Sequence, residues 1–273
     1  MKKKKYAPVG VFDSGVGGLT VAREIMRQLP NENLVYFGDT ARVPYGSKSQ
    51  DTIIRYSRQI VTFLKTKDVK AIVIACNTAS ALALETIQKE FDIPIIGVVE
   101  PGARAALEMT RTKKIGVIGT EATVRSSIYS KLIEARDGDA SVIGCACPLF
   151  VPLVEEGFAK HKVTGEIIDH YLAPLKETDI DALILGCTHY PLLRSRIREY
   201  LGEEIQLVNP AYETALDLKR LLEKDDILND NPAEEHAEYH FYVSDAAEKF
   251  MQFANSILPY DIHTTKQINI EEY

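Results

Sequence analysis

The chain has 273 residues, 45% of them hydrophobic and 26% charged, the proportions of an ordinary globular protein of about two domains. Its 32 basic residues against 39 acidic ones leave a formal net charge of −7, so no nucleic-acid partner is expected. No uncharged run reaches the ~18 residues of a membrane helix, and four cysteines do not make a disulfide framework, so the expected location is the cytoplasm, with no membrane partner.

The opening "MKKKK" is basic, but "YAPVGVF" after it is broken by Pro8 and closed by Asp13, too short for the apolar segment of a signal peptide. The lysines read as a solvated tail. From there, short β-type runs alternate with helical patterns, the signature of parallel α/β architecture. Strands are expected at Val9–Phe12, Leu34–Phe37, Ala71–Ala75, Ile95–Val99, Lys114–Ile118, Ser141–Cys145, Ala182–Leu185 and Ile205–Val208. Between them, Ile53, Ile60 and Leu64, and later Ile167, Tyr171 and Leu175, mark the apolar faces of helices. "AIVIA" and "ALILG" are apolar on both faces, as strands buried between helix layers must be. Beyond Glu223 the pattern is less regular; "HFYVSDAAEKF" predicts one more strand and helix, packed on the N-terminal half.

Three pairs of segments repeat in the same order. "VGVFDSG" from residue 9 resembles "IGVIGTE" from 115, an offset of 106. "IVIACNT" from 72 aligns with "LILGCTH" from 183, an offset of 111, and "EPGARAAL" from 100 with "NPAYETAL" from 209, an offset of 109. The repeats predict two pseudo-symmetric, doubly wound parallel-sheet domains, one of residues 1–99 with 210–273 and the other of 100–209. Ligands of open α/β sheets bind beyond the carboxyl ends of the strands. Cys76 and Cys187, at equivalent strand ends, would then face one another across an interdomain cleft.

Each of these cysteines precedes a predicted helix, "SALALETIQKEF" or "YPLLRSRIREYL", whose N-terminus would favour thiolate over thiol. Pro191 suits the first turn of the second helix. Asp13 and Ser14 stand at another strand tip in "FDSGVGGLT"; the glycines there lack the order of a dinucleotide fingerprint. Asp39 stands at a further strand end, before a Pro44-Tyr45-Gly46 turn whose N–H groups suit an anion. His189, beside Cys187, reads as its proton partner. His161, His170, His236, His240 and His263 lie in polar stretches and read as surface residues, and Cys145 and Cys147 as inert packing residues. A zinc site at Cys76, Cys187 and His189 lacks a further ligand, so no metal is expected.

Two thiols on opposite sides of a cleft suit inversion at a carbon acid: one removes the proton and the other returns one. Ser14, Asn77, Thr78, Thr120, Thr123 and Thr188 would then hydrogen-bond a small, doubly charged substrate.

"DSGVGGLTV", "GDTARVPYG", "IACNTASA" and "LGCTHYPLL" together resemble the four motifs of the cofactor-independent glutamate racemases, within the aspartate/glutamate racemase superfamily, over about Val9–Leu218. The resemblance implies interconversion of L- and D-glutamate for peptidoglycan synthesis, with no cofactor and glutamate as the small-molecule partner. It makes Cys187 the base toward L-glutamate and Cys76 the base toward D-glutamate, assisted by His189 and Asp13 respectively. Substrate contacts would be Asp13, Ser14, Tyr45, Gly46, Asn77 and Thr78 from one side, and Thr120, Thr123, Thr188 and His189 from the other. Asp39 and Glu155 match further carboxylates of the family. Asn209 stands where many relatives have aspartate, which leaves the hinge contacts open. The residues by themselves also fit an aspartate or hydantoin racemase, or a two-domain protein that only binds an amino acid. A Schiff-base lysine is not indicated, since Lys48, Lys65 and Lys114 lie in polar contexts. A homodimer is left open.

Overall fold

In a computed structural model, residues 2–230 and 237–273 are described, with side chains from residue 4 onward. Among the described residues, ten strands form two sheets: β1 (Val9–Asp13), β2 (Leu34–Gly38), β3 (Ala71–Ile74), β4 (Ile95–Gly97), β5 (Lys114–Gly119), β6 (Ser141–Ala146), β7 (Ala182–Gly186), β8 (Gln206–Val208), β9 (Tyr239–Val243) and β10 (Lys266–Gln267). The first sheet runs β10-β9-β2-β1-β3-β4 and the second β6-β5-β7-β8. Every pairing is parallel.

Both faces of each sheet are covered, for the reason the apolar runs suggest. Side chains alternate across a strand, so Val9 and Val11 enter one core while Phe12 enters the other. Ala71 and Val73 part from Ile72 and Ile74 in the same way. In the second sheet Ile115 and Val117 face one helix layer and Ile118 the opposite one.

The chain passes between the sheets twice. Val98 and Val99, expected as the end of a strand, instead open the helix Val99–Met109, and β4 stops at Gly97. Pro101 in the first helical turn tolerates that early start, since its missing N–H would have no partner there. Val99, Ala103 and Ala106 pack on the second sheet. The helix Pro210–Lys224 carries the chain back, burying Ala215, Leu218 and Leu222 against the first. Asn209 caps this helix by accepting from Ala211 N at 3.2 Å.

β9 then pairs with β2 along its whole length, Leu34 opposite Tyr239 and Gly38 opposite Val243. The N-terminal lysines are not a free tail: Lys2–Lys5 form a helical turn. Lys5 Nζ lies 3.2 Å from Asp226 and 3.3 Å from Asp230, and its carbonyl accepts from Lys70 Nζ at 2.6 Å. His161, His170, His240 and His263 are exposed, and His236 lies outside the described residues. Cys147 is buried and Cys145 half-buried, both as free thiols, with their sulfurs 3.8 Å apart. Among the described residues no helix is long and apolar enough to cross a membrane.

Candidate active site

The carboxyl ends of strands from both sheets open on one cavity of about 420 Å³. The first sheet contributes Ser14 after β1, the Tyr45–Gly46 turn after β2, and Cys76, Asn77 and Thr78 after β3. The second contributes Thr120 after β5, Glu155 from the helix Phe150–Glu155, and Cys187, Thr188 and His189 after β7. Loops from the two sides touch closely. A Cβ on Gly17 would lie 2.4 Å from Thr188 Oγ1 and 2.5 Å from the His189 ring. One on Gly46 would lie 2.8 Å from Thr120 Cβ.

Cys76 is the N-cap of the helix Asn77–Glu90, and its sulfur accepts from Ala79 N at 3.5 Å. Sequence reasoning expected this helix end to depress the thiol. Instead Cys76 is pushed up to about 12, first by burial and then by the Asp13 charge, against the Ala79 and Ser14 hydrogen bonds that favour thiolate. The magnitudes explain the reversal. A helix N-terminus supplies typically 0.3–1 kcal/mol toward a negative charge, whereas taking an ion out of water costs several kcal/mol.

Cys187 is held differently. A 3-10 turn, Tyr190–Leu193, separates it from the α-helix Arg194–Leu201, so the expected helix cap does not form there, and Pro191 sits in the 3-10 turn. Its partner is His189, whose Nδ1 lies 3.7 Å from the Cys187 sulfur. Nε2 of the same ring is 2.9 Å from Glu155 Oε1. Burial works against charge on His189, but the bonds and charges of Cys187 and Glu155 outweigh it and hold the imidazolium up to about 10. Burial likewise pushes the Glu155 carboxyl up, and the His189 bond outweighs it, so the group lies below the usual carboxylate range.

Three expected residues stand behind the cavity wall rather than in it. Asp13 is fully buried; it accepts from Gly15 N at 2.9 Å and from Thr188 Oγ1 at 3.4 Å, and burial pushes its carboxyl up. Thr123 is buried beneath Thr78 and Thr120, its hydroxyl 3.3 and 3.0 Å from theirs, while those two lie 2.9 Å apart across the cleft. Asp39 is fully buried under the Tyr45 turn, where it accepts from the Tyr45 hydroxyl, from Arg42 Nε and from Ser244 Oγ.

The sequence reading missed two sets of residues. Val43, Pro148, Val151 and Pro152 join Pro44 in an apolar lining. Tyr129, fully buried, donates to Asn77 Oδ1 at 2.7 Å and fixes that amide. Nothing in sequence marks a contact of this kind, made by two helices 52 residues apart. Among the described residues no group of three or more His, Cys, Asp or Glu is placed to hold a metal ion.

Comparison with known proteins gives the same picture. The family model described as Asp/Glu/Hydantoin racemase matches residues 9–215. A glutamate racemase of Geobacter metallireducens is 48% identical over 266 residues, covering 97% of this chain and 98% of its own. Among solved structures, a glutamate racemase isoform from Bacillus anthracis superposes with a TM-score of 0.93 at 42% identity, covering 97% of this chain and 98% of that one. The glutamate racemase of Francisella tularensis, solved in complex with D-glutamate, does so with a TM-score of 0.91 at 37% identity, covering 98% of this chain and 100% of that one. With its family motifs gathered around one cleft and this likeness running from end to end, the chain belongs to the Asp/Glu/Hydantoin racemase family, among the glutamate racemases.

Proposed function

We propose that this protein interconverts L- and D-glutamate by two-base proton transfer at the α-carbon, and that it supplies D-glutamate for peptidoglycan from the cytoplasm. The observation that carries the reading is the pair of cysteines at matched strand ends, one from each sheet, lining one small cavity. The units proposed for the chain, 1–99 with 210–273 and 100–209, meet at this cavity.

The two cysteines differ in a way that suits the task. Cys187 faces Nδ1 of His189, whose other ring nitrogen is held by Glu155, so a charged group stands beside the base as it gains or loses a proton. Cys76, pushed up to about 12, rests as a thiol and holds the proton to be delivered. In this reading L-glutamate loses its α-proton to Cys187 on one face and receives another from Cys76 on the opposite face. D-glutamate runs the same steps backwards. Asp13, against Cys76, keeps that thiol a reluctant acid and hence a strong base once deprotonated.

Thiols are far more acidic than an amino-acid α-carbon, so charge developing on the substrate must be stabilised by fixed donors. Ser14, Asn77, Thr78, Thr120 and Thr188, with the Tyr45–Gly46 turn, surround the cavity with such groups. Placement of the bases by rigid strand ends lowers the barrier further.

The decisive assay follows L-glutamate in D₂O by circular dichroism, then by mass spectrometry. Decay of the optical signal to zero with one α-deuterium gained is the expected result. A constant signal with no deuterium uptake would overturn the assignment, and the same assay with aspartate would test the neighbouring specificity.

A further inference from the structure

Behind the Tyr45 turn lies a polar network that reaches the far C-terminus. Arg42 Nε donates to both oxygens of the buried Asp39 carboxylate, at 3.0 and 2.7 Å. The same carboxylate accepts from the Tyr45 hydroxyl and, at 2.9 Å, from Ser244 Oγ. Arg42 Nη1 reaches outward to Gln59 Oε1 at 2.5 Å and to Glu271 Oε1 at 3.1 Å. Its guanidinium lies 4.0 Å from the centre of the Tyr56 ring, and that ring is 5.7 Å from the ring of Tyr45.

Arg42 therefore meets Tyr45 by two routes, through a carboxylate and through an aromatic ring, without itself lining the cavity. Glu271 is held in place in turn. Ile270 beside it is buried in the same core as Tyr45, and Tyr273 packs edge-on against Phe63 at 5.3 Å. β10, just before, adds the tail to the first sheet.

On the reading that the cavity binds glutamate, we propose that Arg42 is a positioning residue for the Tyr45–Gly46 wall of the substrate site, and that Glu271 holds Arg42 from the C-terminus. The wall has little freedom to drift. Gly46 abuts Thr120 of the opposite side so closely that even a methyl group there would meet Thr120 Cβ at 2.8 Å. A small retreat of the turn opens that contact and moves the backbone N–H groups off the substrate. Lysine cannot replace the arginine, because one ammonium cannot fork to Asp39, Gln59 and Glu271 while stacking on a ring.

The wall belongs to neither base, so its loss weakens binding of both enantiomers alike. Arg42→Lys is expected to raise KM for L- and D-glutamate by the same factor, roughly tenfold, the worth of one or two well-placed hydrogen bonds. Glu271→Ala, a surface change, is expected to raise both KM values about twofold to threefold. In each variant kcat should fall less than KM rises, and the substrate α-deuterium isotope effect should stay as in the wild type. A role confined to stability would lower the melting temperature and leave both KM values unmoved; that result with folded Arg42→Lys would overturn the proposal. A KM change for one enantiomer alone, or an altered isotope effect, would overturn it too, by placing the network in proton transfer. If Arg42→Lys does not fold, Arg42→Gln and Glu271→Ala give the same readout. Wild-type turnover in the same assay separates the two ideas: an inactive wild type defeats the glutamate reading, and an active one with unmoved variants defeats this one.

Discussion

At the scale of single residues, the two cysteines of the cleft have unlike partners. Cys76 has only the neighbouring Asp13 and two hydrogen-bond donors, while Cys187 has an imidazolium backed by a carboxylate. On the proposed two-base mechanism, removing one cysteine should leave a half-reaction. Cys76→Ala should exchange the α-proton of L-glutamate with D₂O without inverting it, and Cys187→Ala should do so only with D-glutamate. Mass spectrometry of each enantiomer reads the outcome; full racemisation by either variant would contradict two-base transfer. The pH dependence follows from His189. Its folded value near 10 lies above its ordinary 6.5, so in the folded protein the ring stays charged through neutral pH and loses its charge as pH rises through about 10. The kcat/KM for L-glutamate should fall along that alkaline limb. Glu155→Gln removes one of the two groups that raise His189, so the limb should move toward neutral pH in a pH–rate profile.

At the scale of elements, strand ends and turns decide where these side chains meet. The turn after β1 brings Gly17 against Thr188 and His189, from the opposite sheet. Gly17→Ala should push the sides apart by a fraction of an ångström to an ångström. Misplacement of that size costs on the order of 100-fold in rate, so kcat should drop by about that factor while urea unfolding changes little. Much of this level was legible in the sequence. The strands stood out because both of their faces are buried, and the matched cysteines because their strands end alike. Local pattern failed where a choice depends on what lies across the fold. Val98 and Val99 look like strand but turn into the crossing helix, and the helix expected after Cys187 opens as a 3-10 turn. Asp39 looks like a cavity carboxylate, yet Arg42, Tyr45 and a serine 205 positions away draw it behind the wall. The thiol of Cys76 shifts opposite to expectation because burial, which sequence does not reveal, outweighs a helix end.

At the scale of the whole molecule, distant segments are tied together through a buried ion pair. Lys70 Nζ lies 2.5 Å from Glu32, and also donates to the carbonyls of Lys5 at 2.6 Å and Ile227 at 2.8 Å. Burial pushes both groups toward their neutral forms, lowering Lys70 and raising Glu32. Breaking such a pair from one side strands the other charge at a cost of about 3–5 kcal/mol. Lys70→Met should lose about that much stability in urea unfolding, with racemisation near normal in the fraction that stays folded. The strand order of the first sheet, with β9 beside β2, has a temporal consequence. A chain made from its N-terminus completes β5 to β8 of the second sheet before it has synthesised Tyr239–Val243. The second sheet, built from the middle of the chain, can thus close first, while β2 waits with an unpaired edge. Ribosomes that stall before residue 239 would release a protein with an exposed strand, the kind of edge that recruits other chains into aggregates.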